Sequence, residues 1–422
     1  MTINKIEDQY EEWIYPKPIE DMQEYISSGG SILSSFELFW DLFYPEKVYK
    51  EKIDVFIAGC GTNQAIEASL SNPNWKIYAI DLSSKSIDFV KKQIKKYDIK
   101  NLIVEKKSIL DIKNSNKFDL VISTGVIHHT KDPKENLKRL IKSSKKDGAL
   151  YIMIYAIYAR YGLYYLQDIF RYLGIKQDDD GIKFAKNYIN SLNKNHYSFK
   201  YINSLLSDKD NGDLYYDSGF VDTFLNPQDT AYSVLDLIDL IDNSGGFFQN
   251  WINNHFYYPE SFLNEKLVNS SIFQNIQKLN QFELGDLTQK TLIQSGKLDF
   301  ILRKDKNFEN IWHNINDIKS ATIIKRRATT VLTNQEINLT KNDGGSIYSS
   351  ESKSAIQLNI LERLIWDAIT ADIDINLKGL DLNSILLKIK PKLKNKGSDN
   401  FDEKKLKLII HKFWKLGLIL LK

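Results

Sequence analysis

The chain has 422 residues, of which 42% are apolar and 26% charged, a composition that excludes a disordered or collagenous chain and leaves room for two or three domains. Its net charge of +3 and its few arginines give no reason to expect a nucleic acid as partner. The longest apolar stretch, residues 149–159, is shorter than the roughly 20 residues that cross a bilayer, and the first residues show no secretory signal pattern. We therefore expect a cytoplasmic protein without a membrane partner.

The first fifty residues are predicted to form an aromatic lid followed by a helix. Residues 10–18 are rich in aromatic side chains, and aromatic residues recur at three- and four-residue spacing between residues 31 and 43. That spacing places them on one face of a helix. We treat residues 1–50 as a separate N-terminal element.

Strands and helices alternate from residue 51 onward. Apolar runs predict strands at residues 53–58, 76–80, 101–105, 118–123 and 150–155. A helix is predicted after Asp132, which is its N-cap, and it is expected to end near Gly148. This alternation is typical of an α/β fold with a doubly wound parallel sheet. We assign residues 51–303 to this domain, with two further strands at residues 246–251 and 297–303.

The regular pattern is interrupted once inside this domain and ends after it. Residues 156–230 are rich in tyrosine, and we interpret them as a helical insertion between the fifth and sixth strands. Residues 304–354 are predicted as an extended segment and linker, because Gly, Ser, Asn and charged residues dominate residues 341–354. Residues 355–422 are predicted to form a small winged-helix-like module. Its predicted helices and terminal strand lie at residues 358–369, 382–389, 403–414 and 417–421.

The strongest functional signal is a glycine turn after the first predicted strand. Gly59 and Gly61 stand between that strand and the next helix, where small residues let a ligand approach the backbone and the helix N-terminus offers free N–H groups. Asp81 follows about 20 residues later, at the end of the second strand, where a carboxylate accepts two ribose hydroxyls. A dinucleotide site requires a third glycine where Gln64 stands. The spacing therefore predicts a nucleoside-containing ligand and disfavours NAD.

The glycine turn and the residues around it resemble the class I S-adenosylmethionine-dependent methyltransferases. The first motif of that family typically reads GCGTG, and Asn63 replaces its last glycine here. Residues 118–129 match the fourth-strand motif of the family, and Asp132 with the proline after it matches the start of the following helix. The acid that often contacts the adenine after the third strand is replaced by Ser108, whose backbone can still serve.

The resemblance implies a Rossmann-like fold, S-adenosylmethionine as cofactor, and methyl transfer as the reaction. With the glycine-turn spacing, it indicates the cofactor-binding residues Gly59, Cys60, Gly61, Asn63, Asp81, Leu82, Ser108, Ile109, Thr124, Gly125 and Tyr10. Cys60 is the single cysteine of the chain, so an internal disulfide and a multi-cysteine metal site are excluded. No cation near it in sequence would activate its thiol, and we interpret it as a small packing residue.

Two segments resemble more particular bacterial enzymes. Residues 10–18 are similar to a YxxxPYP-type segment that precedes the core in a set of bacterial methyltransferases, which implies that this segment, with the cofactor-binding candidate Tyr10, closes over the cofactor. Residues 222–234 are similar to a segment of multidomain enzymes that include the rickettsial protein lysine methyltransferases. Those enzymes also carry an extra C-terminal domain, as this chain is predicted to do.

Candidate catalytic and substrate-binding residues lie after the fourth and fifth strands, where open α/β sheets bind ligands. The catalytic candidates are His128, His129 and Tyr155. Adjacent residues in an extended chain point to opposite faces, so we expect at most one of the two histidines to enter the cleft. The substrate-binding candidates are Tyr158, Asp222, Asn226 and Tyr232. The other histidines lack the paired spacing of metal ligands, and we expect no metal.

The predicted function is transfer of a methyl group from S-adenosylmethionine to a nitrogen or oxygen of a protein, a peptide or a small molecule. One alternative is a catalytically silent protein of the same fold that acts as a binding or scaffold subunit, which the departures at Asn63 and Ser108 favour. Another is a nucleic-acid methyltransferase with the C-terminal module as its clamp. The (D/N)PPY signature of amino-directed DNA enzymes is missing where residues 123–126 stand, which counts against it. The sequence leaves the oligomeric state open, with a homo-oligomer as one alternative.

Overall fold

The protein is described here by a computed structural model. The residues that the structure describes are 5–113, 115–199, 202, 215–263, 265–268, 270–271, 273–276, 278–293, 295–308, 312–334, 341–371, 378–394 and 401–422. They divide into two units, each built from three segments of the chain. Within them, no helix combines the length and the apolar character needed to cross a membrane.

The first unit comprises Met1–Phe36, Lys50–Gln249 and Ile293–Glu309 and is organised around a central sheet. The strands of this sheet are β1 (Asp54–Ala58), β2 (Lys76–Asp81), β3 (Leu102–Lys106), β4 (Phe118–Thr124), β5 (Ser144–Tyr155), β6 (Phe247–Trp251) and β7 (Lys297–Arg303). Their order is β3-β2-β1-β4-β5-β7-β6. The strands from β1 to β5 pair in parallel, and β7 runs antiparallel to β5.

Among the described residues, helices follow β1, β2, β4 and β5, as the sequence pattern predicts. Those that precede β6 are α1 (Lys5–Glu12), α2 (Met22–Ser27), α3 (Phe36–Phe43), α4 (Gln64–Ser71), α5 (Ser84–Lys96), α6 (Pro133–Ser143), α7 (Ile157–Tyr172), α8 (Asp179–Ser191), α9 (Asp217–Phe224) and α10 (Val234–Ser244). The doubly wound α/β fold is therefore confirmed. The chain order reverses between β1 and β4, which places a crevice at the carboxyl ends of these two strands.

The core of the sheet is apolar on both faces, as parallel strands covered by helices require. Phe56, Ile57, Leu120 and Ile122 are fully buried, and Phe300 of β7 is equally inaccessible. The insertion between β5 and β6 has its own apolar cluster, to which α7, α8 and α9 contribute. The predicted insertion is thus helical in the residues that the structure describes.

The boundary between α6 and β5 differs from the prediction. The helix ends at Ser143, and β5 begins at Ser144, six residues before the predicted start. Residues 145–147 are charged and look like a loop, yet the strand is held there by contacts that sequence does not display. Lys145 forms ion pairs with Asp119 of the neighbouring strand β4 (2.7 Å) and with Asp54 of β1, the strand beyond it (3.3 Å).

The second unit comprises Glu37–Tyr49, Asn250–Leu292 and Asn310–Lys422. Its strands are β8 (Ile323–Arg326), β9 (Thr330–Asn334), β10 (Asp343–Ser349), β11 (Ser354–Asn359), β12 (Leu380–Asp381) and β13 (Ile419–Leu421). Its helices beyond residue 250 are α11 (Glu265–Val268), α12 (Phe273–Ile276), α13 (Gln281–Leu292), α14 (Ile360–Ile369), α15 (Leu382–Lys394) and α16 (Glu403–Lys415). The three helices and terminal strand predicted after residue 355 are present as α14, α15, α16 and β13.

The predicted linker at residues 341–354 is wrong. These residues form β10 and the start of β11, which pair antiparallel, and β10 pairs with β9 on its other side. Composition suggested a linker because small and polar residues dominate, but Ile347 is fully buried and Ser349 nearly so. The unit also takes in residues 37–49 and 250–292, so its boundaries differ from those predicted at residues 50, 303 and 355.

Candidate active site

The glycine turn after β1 adopts a backbone that only glycine accommodates easily. Gly59 and Gly61 have φ values of +74° and +52°. A Cβ atom on Gly59 would lie 2.3 Å from Cγ2 of Val126, so a side chain there would collide with the end of β4. The backbone N–H groups of Gly59 and Cys60 both donate to the carbonyl of Ile80 (2.8 and 3.0 Å), which ties the turn to β2.

Asp81 ends β2 and faces this turn. Its Oδ2 accepts a hydrogen bond from the N–H of Gly61 (2.8 Å), and its Oδ1 accepts one from the N–H of Ser83 (2.9 Å). Burial raises the pKa of the Asp81 carboxyl, while these backbone donors oppose that shift. Each carboxylate oxygen has a second lone pair, so both can accept a further hydroxyl donor. The pairing of a glycine turn with a two-oxygen acceptor fits the ribose end of a nucleoside.

The other predicted cofactor residues surround this pair at the ends of the strands. Cys60 is buried, and burial raises the pKa of its thiol well above the ordinary value, which agrees with a packing role. Thr124 Oγ1 accepts from Gln64 Nε2 (2.8 Å). Gly125 has a φ of +77°, and a Cβ there would meet only Met153 Cε at 3.6 Å, so the backbone at this point is open to close approach.

Ser108 and Ile109 lie at the end of β3 and begin a short 3₁₀ turn. The Ser108 hydroxyl accepts from the N–H of Leu110 (3.2 Å), and Asp111 accepts from the N–H of Ser108 (3.3 Å) in a capping box. The Ser108 side chain is thus engaged in ending the strand. Leu82, which follows Asp81, is half-buried.

A segment from the N-terminal region, residues 9–19, crosses this site, and we call it the strap. Tyr10 donates its hydroxyl proton to Asp222 Oδ1 (2.9 Å), and its carbonyl accepts from Ser83 Oγ (2.8 Å). Asn63 binds the strap through its side-chain amide, at the carbonyl of Lys17 and the N–H of Ile19. Sequence reasoning assigned Tyr10 and Asn63 to the cofactor separately and missed that the strap links them.

The two adjacent histidines do not point to opposite faces. Residues 127–129 form a 3₁₀ turn instead of an extended chain, so the premise of that prediction is wrong. The ring centroids of His128 and His129 are 4.2 Å apart, and they lie 3.7 and 5.3 Å from the ring centroid of Tyr155. All three catalytic candidates therefore lie together at the ends of β4 and β5.

The surroundings of the two histidines set which ring nitrogen of His129 carries a hydrogen and shift the pKa of His128. His129 Nδ1 lies 3.0 Å from the carbonyl of Gln228, and since a carbonyl only accepts, Nδ1 carries the proton. In that tautomer, Nε2 is the ring nitrogen that can accept a proton. His128 is fully buried, and neither of its ring nitrogens has a hydrogen-bond partner among the described residues. Burial lowers the pKa of His128 well below the ordinary value, so this ring is neutral.

Tyr155 is held between two groups. The Arg160 guanidinium carbon lies 3.6 Å from its ring centroid, about as close as the centre of the His128 ring. Two groups so near one centroid occupy opposite faces of the ring, because on one face they would overlap. Arg160 in turn forms an ion pair with Asp229 (3.1 Å), whose side chain is fully buried. Tyr164 Oη also bonds Asp229, at 3.2 Å.

Arg160, Asp229 and Tyr164 were not singled out from the sequence as site residues. Gln167 joins them, since its Nε2 donates to the carbonyl of Thr223 (2.8 Å) and to Asp229 Oδ2 (3.3 Å). The sequence contained a signal for this ion pair, because Arg160 directly follows the longest apolar run. A charged residue that becomes buried beside such a run is usually paired with an opposite charge.

Asp222 is the second buried carboxylate of the site, with 2% of its surface exposed. Its Oδ1 accepts hydrogen bonds from Gln9 Nε2 (3.1 Å), Tyr10 Oη (2.9 Å) and Asn226 Nδ2 (3.2 Å). Burial raises the pKa of its carboxyl, and the neighbouring His129 opposes that shift. The substrate-binding candidates Asp222 and Asn226 are thus brought together.

The remaining substrate-binding candidates lie at the edge of this group. The N–H of Tyr232 donates to the carbonyl of Tyr155 (2.9 Å), and its own carbonyl accepts from Ile157 (3.0 Å), so its segment runs beside the end of β5. Burial raises the pKa of the Tyr232 hydroxyl to about 12. Tyr158 lies in the first turn of α7, with its ring 6.2 Å from that of Tyr161.

Together these residues form two adjoining groups at the carboxyl ends of the central strands. One holds the glycine turn and Asp81, and suits a nucleoside-containing ligand. The other holds Asp222, Tyr155 and the two histidines, which lie against one another at the ends of β4 and β5. In the described part of the chain, no three His, Cys, Asp or Glu side chains are arranged to hold a metal ion.

Comparison with known proteins shows a similarity that covers much of the central sheet. Residues 50–160 match the family model described as a methyltransferase domain. The fold is similar to that of PKMT2 from Rickettsia typhi in complex with AdoHcy, with a TM-score of 0.60 and 14% identity over 92% of this chain and 76% of that one. A second structure of PKMT2 from Rickettsia typhi gives a TM-score of 0.59 and 15% identity, over 96% of this chain and 76% of that one.

The curated relatives match a smaller part of this chain than the PKMT2 structures do. An uncharacterized protein of Synechococcus is 24% identical over 54% of this chain and 56% of its own length. A malonyl-[acyl-carrier protein] O-methyltransferase of Acetivibrio thermocellus is 26% identical over 24% of this chain and 35% of its own length. The chain thus spans between about a third and just over half of the length of these relatives.

Proposed function

From the premise that this chain carries a class I methyltransferase domain, we propose that it uses S-adenosylmethionine to methylate a nitrogen or oxygen nucleophile bound beside Asp222. The observation that carries the proposal is the pairing of Asp81 with the glycine turn. Gly61 donates its N–H to Asp81 at 2.8 Å, which fixes a carboxylate beside a backbone that a ligand can approach closely.

The residues present fit the cofactor at several points. Gly59 and Gly61 add no side chain of their own to the turn, and Gly125 leaves the backbone open at the end of β4. Asp81 has lone pairs for two ribose hydroxyls. S-adenosylmethionine supplies a methyl group already activated on a sulfonium, so the protein has mainly to hold the acceptor in line with it.

The residues around Asp222 and His129 support transfer to a nucleophile that must lose a proton. His129 Nε2 is free to accept one, because Nδ1–H is committed to the carbonyl of Gln228. The Asp222 carboxylate stabilises the positive charge that an imidazolium or an ammonium would carry nearby. Arg160 and His128 lie against the ring of Tyr155 and hold it in place beside His129.

For the identity of the acceptor, we favour an amine of a protein or peptide over a small molecule. The likeness of the fold to PKMT2 over 92% of this chain supports this choice, as does the resemblance of residues 222–234 to the rickettsial protein lysine methyltransferases. A neutral amine needs no dedicated base, and burial lowers the pKa of an amine. A hydroxyl acceptor would depend on His129.

The proposal is tested in two stages on the full chain. Calorimetry with S-adenosylmethionine and with S-adenosylhomocysteine is expected to show one binding site. A lysate supplied with methyl-labelled S-adenosylmethionine and the protein is then expected to yield labelled polypeptide. Label in the small-molecule fraction alone would overturn the choice of a protein acceptor. Binding without any labelled product would favour the catalytically silent scaffold, and absence of binding would refute the proposed function.

A further inference from the structure

Asn63 is engaged in contacts that its place in the chain does not explain. It precedes α4, where an asparagine usually caps the first N–H groups of the helix, yet its side chain makes no capping hydrogen bond. Its φ of −113° and ψ of −41° are ordinary for any residue, so the backbone does not require the glycine that the resembling motif has here. The side chain therefore has another task.

The Asn63 side chain attaches the strap to the start of α4 at two points. Asn63 Oδ1 accepts from the N–H of Ile19 (2.9 Å), and Asn63 Nδ2 donates to the carbonyl of Lys17 (2.9 Å). Both polar atoms of the amide are thus paired with the backbone of one short segment, 46 and 44 residues away in the chain. A glycine at this position would offer neither atom.

The strap passes over the glycine turn and beside Asp81. A Cβ atom on Gly61 would lie 2.9 Å from Cδ of Pro16, which places the strap directly on the turn. Thr62 Oγ1 donates to the carbonyl of Pro16 (2.8 Å). On the other side, Ser83 Oγ donates to the carbonyl of Tyr10 (2.8 Å), and Ser83 is the residue whose N–H binds Asp81.

The far end of the strap is attached to the helical insertion. Tyr10 and Gln9 donate to Asp222, and Trp13 Nε1 donates to the carbonyl of Gln177 (3.2 Å). Trp13 also packs against the apolar cluster of the insertion. With that end held, the attachments at Thr62 and Asn63 hold residues 16–19 over the turn, and Asn63 contributes two of these three hydrogen bonds.

We propose that Asn63 is a positioning residue that fastens the strap over the glycine turn and thereby determines how long the methyl donor stays bound. The inference rests on the proposed function, since it concerns the same cofactor. Exchange of the cofactor requires residues 16–19 to leave the turn, and the two hydrogen bonds of Asn63 oppose that movement. The Asn63 amide thus makes two hydrogen bonds that the glycine of the family's first motif cannot make.

The test measures cofactor dissociation and strap opening separately, on the full chain. In Asn63→Gly, S-adenosylhomocysteine is expected to dissociate roughly 10- to 30-fold faster in stopped-flow fluorescence, the effect of losing two neutral hydrogen bonds. Asn63→Asp keeps the acceptor, loses the donor and should fall between this variant and the unchanged chain. Without any ligand, the amide of Ile19 should exchange its hydrogen faster in both variants.

Asn101→Ala is the matched control. The Asn101 amide donates to the carbonyls of Ser69 (3.3 Å) and Asn72 (3.1 Å) in the same unit, with no contact to the strap. It should lower stability without changing dissociation or the exchange of Ile19. Equal dissociation rates in Asn63→Gly and Asn101→Ala, or an unchanged Ile19 amide, would overturn the inference. A chain that binds no S-adenosylhomocysteine would refute the proposed function, while the exchange of Ile19 would still decide the attachment. If Asn63→Gly does not fold, the nearly isosteric Asn63→Asp carries the test.

Discussion

The carboxylates of Asp81 and Asp222 are held by different kinds of hydrogen-bond donor. Asp81 accepts from backbone N–H groups through both oxygens and is open to further donors. Asp222 accepts from three side chains through one oxygen. Burial raises the pKa of both. The first arrangement suits a ligand with paired hydroxyls, and the second suits a charge that must be held inside the fold.

Replacing Asp81 with alanine is expected to weaken S-adenosylhomocysteine binding by about 2–3 kcal/mol, because charge-assisted hydrogen bonds to the ribose are lost. Isothermal calorimetry measures the change. Glu105→Ala is the control, since Glu105 is an exposed carboxylate on β3 whose partner is the Tyr78 hydroxyl (2.6 Å). The same affinity in both variants would contradict the role assigned to Asp81.

Asp222→Asn is expected to raise the free energy of unfolding at pH 7 by more than at pH 4. The folded-state pKa of Asp222 is raised by burial, so the folded chain binds more protons than the unfolded one between the unfolded value of about 3.9 and the raised value. The stability of the unchanged chain therefore falls as pH rises through that interval. The variant keeps an acceptor oxygen for Gln9, Tyr10 and Asn226 but has no charge to bury.

Urea unfolding at pH 4, 5.5 and 7 checks this prediction. A gain that is the same at all three values would show that the Asp222 carboxyl does not titrate differently in the folded chain. Methyl transfer is a second measurement, and we expect it to fall in the variant, because the negative charge beside His129 is lost.

At the scale of elements, the connection from β5 into α7 depends on one buried ion pair. Arg160 lies in the first turn of α7 and Asp229 in the segment that returns beside β5. The two side chains are 10% and 0% exposed, so solvent screens them little. The pair holds the face of Tyr155 and joins the insertion to the sheet of the same unit.

Asp229→Ala is expected to cost about 3–5 kcal/mol in the free energy of unfolding, because it leaves the Arg160 guanidinium buried without its counter-charge. Arg160→Leu with Asp229→Ala is expected to cost less than the sum of the single changes, since no charge then remains buried. Urea unfolding of the four proteins of this cycle gives the coupling. Additive costs would mean that the two groups act independently.

The sequence predicted the elements whose signals are local. The strand into Gly59, the helix after it and Asp81 at the end of β2 follow from apolar periodicity and spacing within about 20 residues, and all are present. The histidine turn was missed because residues 127–129 show no pattern that separates a 3₁₀ turn from an extended chain. The strap contacts of Asn63 were missed because they join residues far apart in sequence. The strands at residues 343–359 were missed because composition does not reveal a pairing partner.

At the scale of the whole molecule, the chain enters each unit three times. The second unit combines residues 37–49 and 250–292 with everything from residue 310 onward. Inside it, Tyr258 packs against Trp414 at 5.3 Å, and Lys415 forms an ion pair with Glu260 at 2.6 Å. The residues after 355 therefore complete a unit whose other parts come much earlier in the chain.

A chain cut at residue 345 is expected to be strongly destabilised or to aggregate, although composition would suggest a harmless cut there. The cut falls inside β10, and β8 loses its partners β12 and β13. Residues 250–292 lose the side chains of α16 that cover them. Size-exclusion chromatography and thermal unfolding, beside the full chain, measure the outcome. A monomer that unfolds cooperatively at the temperature of the full chain would show that residues 346–422 fold apart from the rest.

The pairing of Asp41 with two distant lysines has a consequence for synthesis on the ribosome. Asp41 is 6% exposed, and its carboxylate accepts from Lys325 and Lys422, the latter 381 residues later. At about 5–20 residues per second, roughly 20–80 seconds separate the appearance of the acid from that of its last cation. Nascent chains stalled before β13 should remain cleavable by protease within residues 37–49, and protection there at that stage would contradict this view. Until Lys422 has been synthesised, the Asp41 carboxylate therefore has Lys325 but not the second of its two cations.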